Sequence, residues 1–189
     1  ADLSKAFDSV DHAQLLRCLA EAGVAGDMLS LLEFELVTSS KFLEHDGHTS
    51  STWSQLRGTK QGDPRSCLAF ILACAPIIHR LKQQEHLGAT LLPEPGAPKV
   101  SVLAYADDFI IVTNAPQNVA PLLATLQDAC KETGFAVSAE KTLIAAWTPD
   151  DQPLPPWHMD GKRIPVEINS PIKILGITHR QGEASPQQG

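Results

Sequence analysis

At 189 residues and 43% hydrophobic, the chain can bury one substantial core, and a single domain is the default. A formal net charge of −7, from 22 acidic against 15 basic residues, is wrong for a protein that must hold a polyanion unaided. No leader peptide or apolar run near bilayer-spanning length is read in the sequence, so a membrane is not an expected partner and an intracellular setting, nuclear or cytoplasmic and not secreted, is expected.

In chain order, the run ADLSKAFDSVDH comes first, and Leu3, Ala6, Phe7 and Val10 predict a short strand leading into a helix. Asp11 can cap a helix through about Ala22, with Leu15, Leu16 and Leu19 on one face and Gly23 near its end. A shorter helix is expected over 26–35, then a hairpin over 40–56 turning at Asp46-Gly47. His45 and His48 flank that turn and read as solvated. The loop RGTKQGDPRS, with Gly58, Gly62 and Pro64, precedes a mostly buried helix over 66–84 that Pro76 is expected to kink.

After a Pro/Gly-rich loop over 91–98 comes VSVLAYADDFIIV, two apolar strand-like runs around one pair of acids. Val119, Leu122, Leu123, Leu126 and Cys130 recur at helical spacing, and Gly134 supplies the stop. Strand-like runs over 135–137 and 143–147, a Pro-rich turn over 149–156 and a last hairpin over 157–178 follow. The tail 179–189 has no apolar period and is expected to be disordered. Cys18, Cys67, Cys74 and Cys130 show no CxxC spacing and read as buried free thiols. The order predicts an α+β fold, an antiparallel sheet with helices packed on one face.

The chemistry concentrates at Asp107 and Asp108. Two adjacent carboxylates in an apolar setting repel each other and lose hydration, and hard cations offset that cost. The economical arrangement is a β-hairpin with the acids at its turn, aimed at a metal. Read alone, the pair fits an ordinary solvated turn better than a metal site. A third acid, Asp2, and the intervening glycine-containing loop assemble the kit of a two-metal phosphoryl-transfer site.

These segments resemble, in order, the palm of a reverse transcriptase of the non-LTR (LINE-like) retrotransposon and group II intron type. The first motif is Asp2-Leu3-Ser4-Lys5-Ala6-Phe7-Asp8, and the second is Gln61-Gly62-Asp63-Pro64 with Ser66 and Phe70. The third is Tyr105-Ala106-Asp107-Asp108. The fourth runs from Gly134-Phe135 to Glu140-Lys141-Thr142, and the fifth is Ile174-Leu175-Gly176. The resemblance covers residues 1 to about 178.

It implies a ferredoxin-like split βαβ palm over 1–178, with the first strand beside the acidic hairpin. It also implies RNA-directed DNA polymerase activity: a primer 3′-hydroxyl attacks the α-phosphate of a dNTP and pyrophosphate leaves. Two Mg²⁺ ions, or Mn²⁺ in their place, would be held by Asp2, Asp107, Asp108 and the backbone carbonyl of Leu3. Phe7 would exclude the 2′-hydroxyl of a ribonucleotide, while Gln61 and Gly62 line the nucleotide pocket. Leu175 and Gly176 would form the primer grip. Lys141 would stand near the leaving pyrophosphate; its own context reads equally as an exposed lysine in a Glu-Lys pair. Phe7 reads alternatively as a core side chain.

The implied partners are an RNA template with a DNA primer, dNTPs, and fingers and thumb segments outside this chain, where the missing basic residues are expected. Arg65, Ser66 and Cys67 stand where the family usually has Leu-Ser-Pro, and Ala69 precedes Phe70. The absent proline bears on how firmly the next helix is entered, and Arg65 puts charge where an apolar side chain is usual. The competing class is a palm without catalysis, kept as a nucleic-acid-binding or scaffolding module. Three mutually repelling acids are needless in such a module.

Overall fold

The computed structural model describes residues 1, 3–38, 40–60, 62–90, 92, 94, 96–148, 153–174 and 177–179. Asp2, Gln61, Leu175 and Gly176, named above as site residues, lie outside the described residues, as does the chain from residue 180.

The opening run is a strand only at its start. Leu3 bridges Val137 in antiparallel sense, but Lys5 then takes the left-handed conformation (φ 49°, ψ 46°). That reversal ends the extended backbone and starts a single helical turn, α1 (Ala6–Ser9), so Phe7 sits on a turn and not on the expected strand. Asp11 caps α2 (His12–Glu21) by accepting a bond from the Gln14 N–H at 3.0 Å, and Gly23 (φ 93°) leads the chain away. The next helix, α3 (Gly26–Glu33), is shorter than expected because the backbone widens into a π-type turn, Phe34–Thr38.

Four two-residue strands follow: β1 (Ser40–Lys41), β2 (Glu44–His45), β3 (His48–Thr49) and β4 (Trp53–Ser54). They form a nested hairpin in which β1 pairs with β4 and β2 with β3, turning at Asp46-Gly47 as expected. Both turn residues have positive φ (49° and 73°), the twist a tight hairpin needs.

The long helix α4 (Pro64–Lys82) begins two residues before its expected start. Asp63 caps it and Pro64 occupies the first turn, where a missing N–H costs nothing. Pro76 lies inside the helix without ending it. Phe70, Ala73, Cys74, Ile77 and Leu81 form its buried stripe, and it packs most extensively on α5. By length and composition α4 is also apolar enough to cross a bilayer, which corrects the sequence expectation. Only the stripe turned onto α2 and α5 is buried, while Leu68 and Ile71 are exposed, so the helix is not the mostly buried one expected.

β5 (Ala89–Thr90) pairs with β6 (Lys99–Val100). The acidic run forms the expected hairpin of β7 (Val102–Tyr105) and β8 (Asp108–Ile111), with Tyr105 opposite Asp108. Next comes α5 (Val119–Thr133), which carries Leu122, Leu126 and Cys130 inward. It ends at Gly134 (φ 78°), whose N–H bonds to Lys131 while that of Phe135 reaches the Cys130 carbonyl, a Schellman ending.

The C-terminal third departs from the single expected hairpin. β9 (Ile144–Ala146) precedes β10 (His158–Met159), β11 (Lys162–Arg163), β12 (Val166–Ile168), β13 (Ile172–Ile174) and β14 (Ile177–His179). β10 pairs with β11 around Asp160-Gly161, and β13 pairs with β14. Between these hairpins β12 returns to lie parallel to β9. A parallel partner cannot be read from local turn chemistry, which explains the miss. Among the described residues the strands pair two by two, six ladders antiparallel and one parallel. The class is mixed α and β.

Cys18, Cys74 and Cys130 are buried, but Cys67 is exposed on the outer side of α4, correcting the expectation of four buried thiols. Burial pushes the Cys74 and Cys130 thiols up to about 12, with Cys130, Asp107 and Cys18 adding to the effect at Cys74. Burial also raises Cys18. At pH 8 only Cys67 is therefore expected to react quickly with a chromogenic thiol reagent, the other three waiting on opening of the fold. Two or more fast thiol equivalents in the time course would contradict this burial pattern.

Candidate active site

The expected neighbour of the acidic hairpin is in place. The Ala1 amino nitrogen donates to the Phe109 carbonyl at 2.6 Å, and the Phe109 N–H donates back to the Ala1 carbonyl at 2.9 Å. This reciprocal exchange is an antiparallel pair. On the far side Leu3 faces Val137, and the Ser4 N–H bonds to the Ala136 carbonyl at 2.8 Å. In that pairing type Leu3 exchanges no bond with Val137, so its own carbonyl is turned toward the hairpin. The local order is β7, β8, the opening segment, then the strand-like run ending at Val137.

Asp107 occupies the two-residue turn and is half-buried, while Asp108 opens β8 and is exposed. Ala106 beside them has φ 50°, a left-handed backbone uncommon for alanine. Among the described residues no group of three His, Cys, Asp or Glu side chains could hold a metal ion. The two carboxylates and the inward Leu3 carbonyl are nonetheless all hard oxygen donors, the set that Mg²⁺ takes. Their chemistry fits the metal.

The opening segment also reaches a pocket of about 480 Å³ lined by Phe7, Thr59, Lys60, Gly62, Asp63, Pro64, Ser66 and Cys67. Phe7 stacks on Phe70 with ring centroids 4.6 Å apart, and Phe70 meets Phe135 edge-on at 5.9 Å. The fully buried Phe70 thereby holds the half-buried Phe7 at the pocket wall. Gly62 has φ 82°, a conformation that favours glycine. Thr59, Lys60 and Cys67 were not singled out as site residues. Position was the available signal: the first two flank Gln61-Gly62, and the third replaces the family's usual proline.

Arg65, the unusual cation, is satisfied within the protein. Its guanidinium makes paired bonds of 2.8 and 2.7 Å to Glu35 and reaches the Asp63 carboxylate at 2.7 Å. It joins the π-type turn to the start of α4, so the helix entry is held without the usual proline. The Arg65 side chain and its backbone N–H hold the Asp63 carboxyl down to about 2. Because this lies below the ordinary 3.8, charge at Asp63 favours the folded chain above about pH 4. That contribution is lost as pH falls through 2. The melting difference between the parent and Asp63→Asn should therefore be constant above pH 4 and vanish near pH 2. An unchanging difference across that window would count against it.

Lys141 is exposed near a turn in which both the N–H and hydroxyl of Thr142 bond to the Ser138 carbonyl. The Glu140 carboxylate takes Lys162 at 2.7 Å. Leu175 and Gly176, expected as a primer grip, lie outside the described residues; the flanking β13 and β14 pair Ile174 with Ile177.

A family model described as reverse transcriptase (RNA-dependent DNA polymerase) matches residues 1–179. The chain belongs to the reverse transcriptase family. Its relatives include a Retrovirus-related Pol polyprotein from type-1 retrotransposable element R2 of Popillia japonica, 29% identical over 98% of this chain and 31% of the relative. The counterpart from Nasonia vitripennis is 27% identical over 92% of this chain and 16% of its own length. The Pol polyprotein from type-2 retrotransposable element R2DM of Drosophila melanogaster is 28% identical over 74% of this chain and 13% of its own. This reverse transcriptase chain thus spans less than a third of each of these curated relatives. The resemblance carried by the five motifs is borne out at the level of family and of non-LTR element.

Proposed function

We propose that this chain is the catalytic palm of an RNA-directed DNA polymerase, extending a primer 3′-hydroxyl with dNTPs on an RNA template. The observation that carries the reading is the exchange between Ala1 and Phe109, which sets the opening segment against the Asp107–Asp108 hairpin in a chain of this family. The strand order around it supports a ferredoxin-like split βαβ core.

Asp2, Asp107, Asp108 and the Leu3 carbonyl are the residues that hold divalent cations in this reading. Divalent cations held there would supply Lewis acidity for the primer hydroxyl and for charge on the departing pyrophosphate. The protein's own part is positional. Phe7, braced by Phe70, closes the space a 2′-hydroxyl would need, and Gly62 with Gln61 admits the nucleotide. Lys141 supplies positive charge toward the pyrophosphate, and Leu175-Gly176 steadies the primer end. Fingers and thumb segments of a longer polyprotein supply the basic surface that a chain of net charge −7 lacks.

The test is primer extension on an RNA template with Mg²⁺, comparing dNTPs with rNTPs, for this chain and for the longest reading frame that carries it. Extension with dNTPs supports the reading. Phe7→Val is expected to relax discrimination against rNTPs by at least about tenfold, the scale on which pocket shape separates small substrates. Template–primer binding without extension by any form of the protein would instead favour a non-catalytic binding module.

A further inference from the structure

The loop over 56–63 carries one wall of the pocket, yet its flexible-looking sequence does not explain what holds it. The structure shows its first part, residues 56–59, bonded to residues 7–12. The His12 N–H reaches the Leu56 carbonyl at 3.4 Å, the Gly58 N–H the Val10 carbonyl at 2.8 Å, and the Thr59 N–H the Phe7 carbonyl at 3.0 Å. Gly58 has φ 90°, and a Cβ there would stand 3.2 Å from the Asp8 carbonyl, so the two segments touch. Arg57 reinforces the seam from outside, 3.8 Å from Asp11 and 3.4 Å from the Gly134 carbonyl.

His12 lies buried inside the seam, only 5% exposed, beside the buried Val10 and Thr59. Its Nε2 is 2.7 Å from the Gly58 carbonyl, an acceptor, so the proton resides on Nε2 and the ring donates. Its Nδ1 is buried with no hydrogen-bond partner among the described residues, as is the Thr59 hydroxyl. A leucine would avoid the orphaned nitrogen but would strip the buried Gly58 carbonyl of this donor. The cost of that orphan is compensated by what Nε2 does: it pins the Gly58 carbonyl, one residue from Thr59 and two from Lys60. Thr59 is bonded in turn to the backbone of Phe7.

We infer that His12 is a positioning residue for the nucleotide pocket, locking the Gly58–Thr59 backbone against the Phe7 turn so that pocket width is set before a nucleotide enters. The inference rests on the nucleotide-pocket reading above. It assigns His12 no contact with substrate.

Steady-state extension by the parent, His12→Leu and His12→Gln tests it, with protection of Cys67 from alkylation by added dNTP as a second readout. Gln places an amide donor near the Nε2 position, whereas Leu keeps bulk and removes the donor. His12→Leu should raise KM for dNTP about tenfold, with kcat changed less than about threefold, and should weaken Cys67 protection in parallel. His12→Gln should restore KM to within about threefold of the parent. A merely structural residue would lower the active fraction, and so kcat, leaving KM unmoved.

If His12→Leu does not fold, His12→Asn replaces it, polar but too short to reach Gly58. Failure of both to fold makes the residue structural and overturns the proposal. A parent that extends primers and protects Cys67, with a Leu variant of unchanged KM, overturns the role of His12 alone. A parent that does neither sinks the nucleotide-pocket reading and this inference with it.

Discussion

Asp107→Asn is expected to cut dNTP incorporation by about a thousandfold or more while leaving the fold intact. A carboxylate that serves metal-assisted phosphoryl transfer contributes several kcal/mol to transition-state stabilisation, and each ~1.4 kcal/mol is a factor of ten in rate. Asparagine keeps the shape and turn preference of aspartate, so the loss is one of charge. The position tolerates it: Asp107 is half-buried in a two-residue turn beside a second acid, and removing one charge relieves repulsion. The melting temperature should stay within a few degrees, a change typical of surface substitutions. Asp46→Asn is the matched control, since Asp46 occupies the equivalent turn of the β2–β3 hairpin, far along the chain and fully exposed. Extension by Asp107→Asn within tenfold of the parent would sink the assignment of that carboxylate.

Gly88→Ala is expected to be the most destabilising small substitution outside the site. Gly88 lies between the end of α4 and β5, and its backbone is extended, so conformation alone would admit alanine. Space would not. An added Cβ would stand 2.3 Å from the Val100 carbonyl oxygen and 2.8 Å from the Ser101 nitrogen, both backbone atoms. Those atoms are themselves tied down: Ala89 pairs with Val100, and the buried Ser101 hydroxyl donates to the Leu81 carbonyl at 2.7 Å. Overpacking of this kind costs about 3 kcal/mol, or a fall in melting temperature of roughly 6–12 °C for a chain of this size. Calorimetry or thermal circular dichroism reads it directly. A fall under about 2 °C would mean the two backbones separate freely.

The contrast between those two positions shows where the sequence was legible. The acid pair announced itself, because charge inside an apolar strand pattern needs a compensating purpose. Gly88 gave no sign, since a glycine between a helix and a strand is an ordinary connector until another backbone is found against it. Phe7 was recognised as important but given the wrong element. The left-handed Lys5 that ends the first strand has no residue-type signature, as lysine seldom adopts it.

What the sequence determined by itself were the features encoded within a few neighbouring residues. These are the apolar stripes of α2, α4 and α5, the Asp11 cap, the Gly134 stop, the Asp46-Gly47 turn and the acidic hairpin, together with the five motifs that mark the family. Tertiary structure alone decided the pairings between distant residues. Ala1 meets Phe109, β12 returns parallel to β9, Arg65 turns to Glu35 and Asp63, and His12 reaches Gly58. Periodicity and turn chemistry follow from local backbone preference, which a short window of sequence contains. Which strand edge or carbonyl a distant group satisfies depends on the packing of the whole core, where burial demands that each polar group find a partner wherever the fold supplies one.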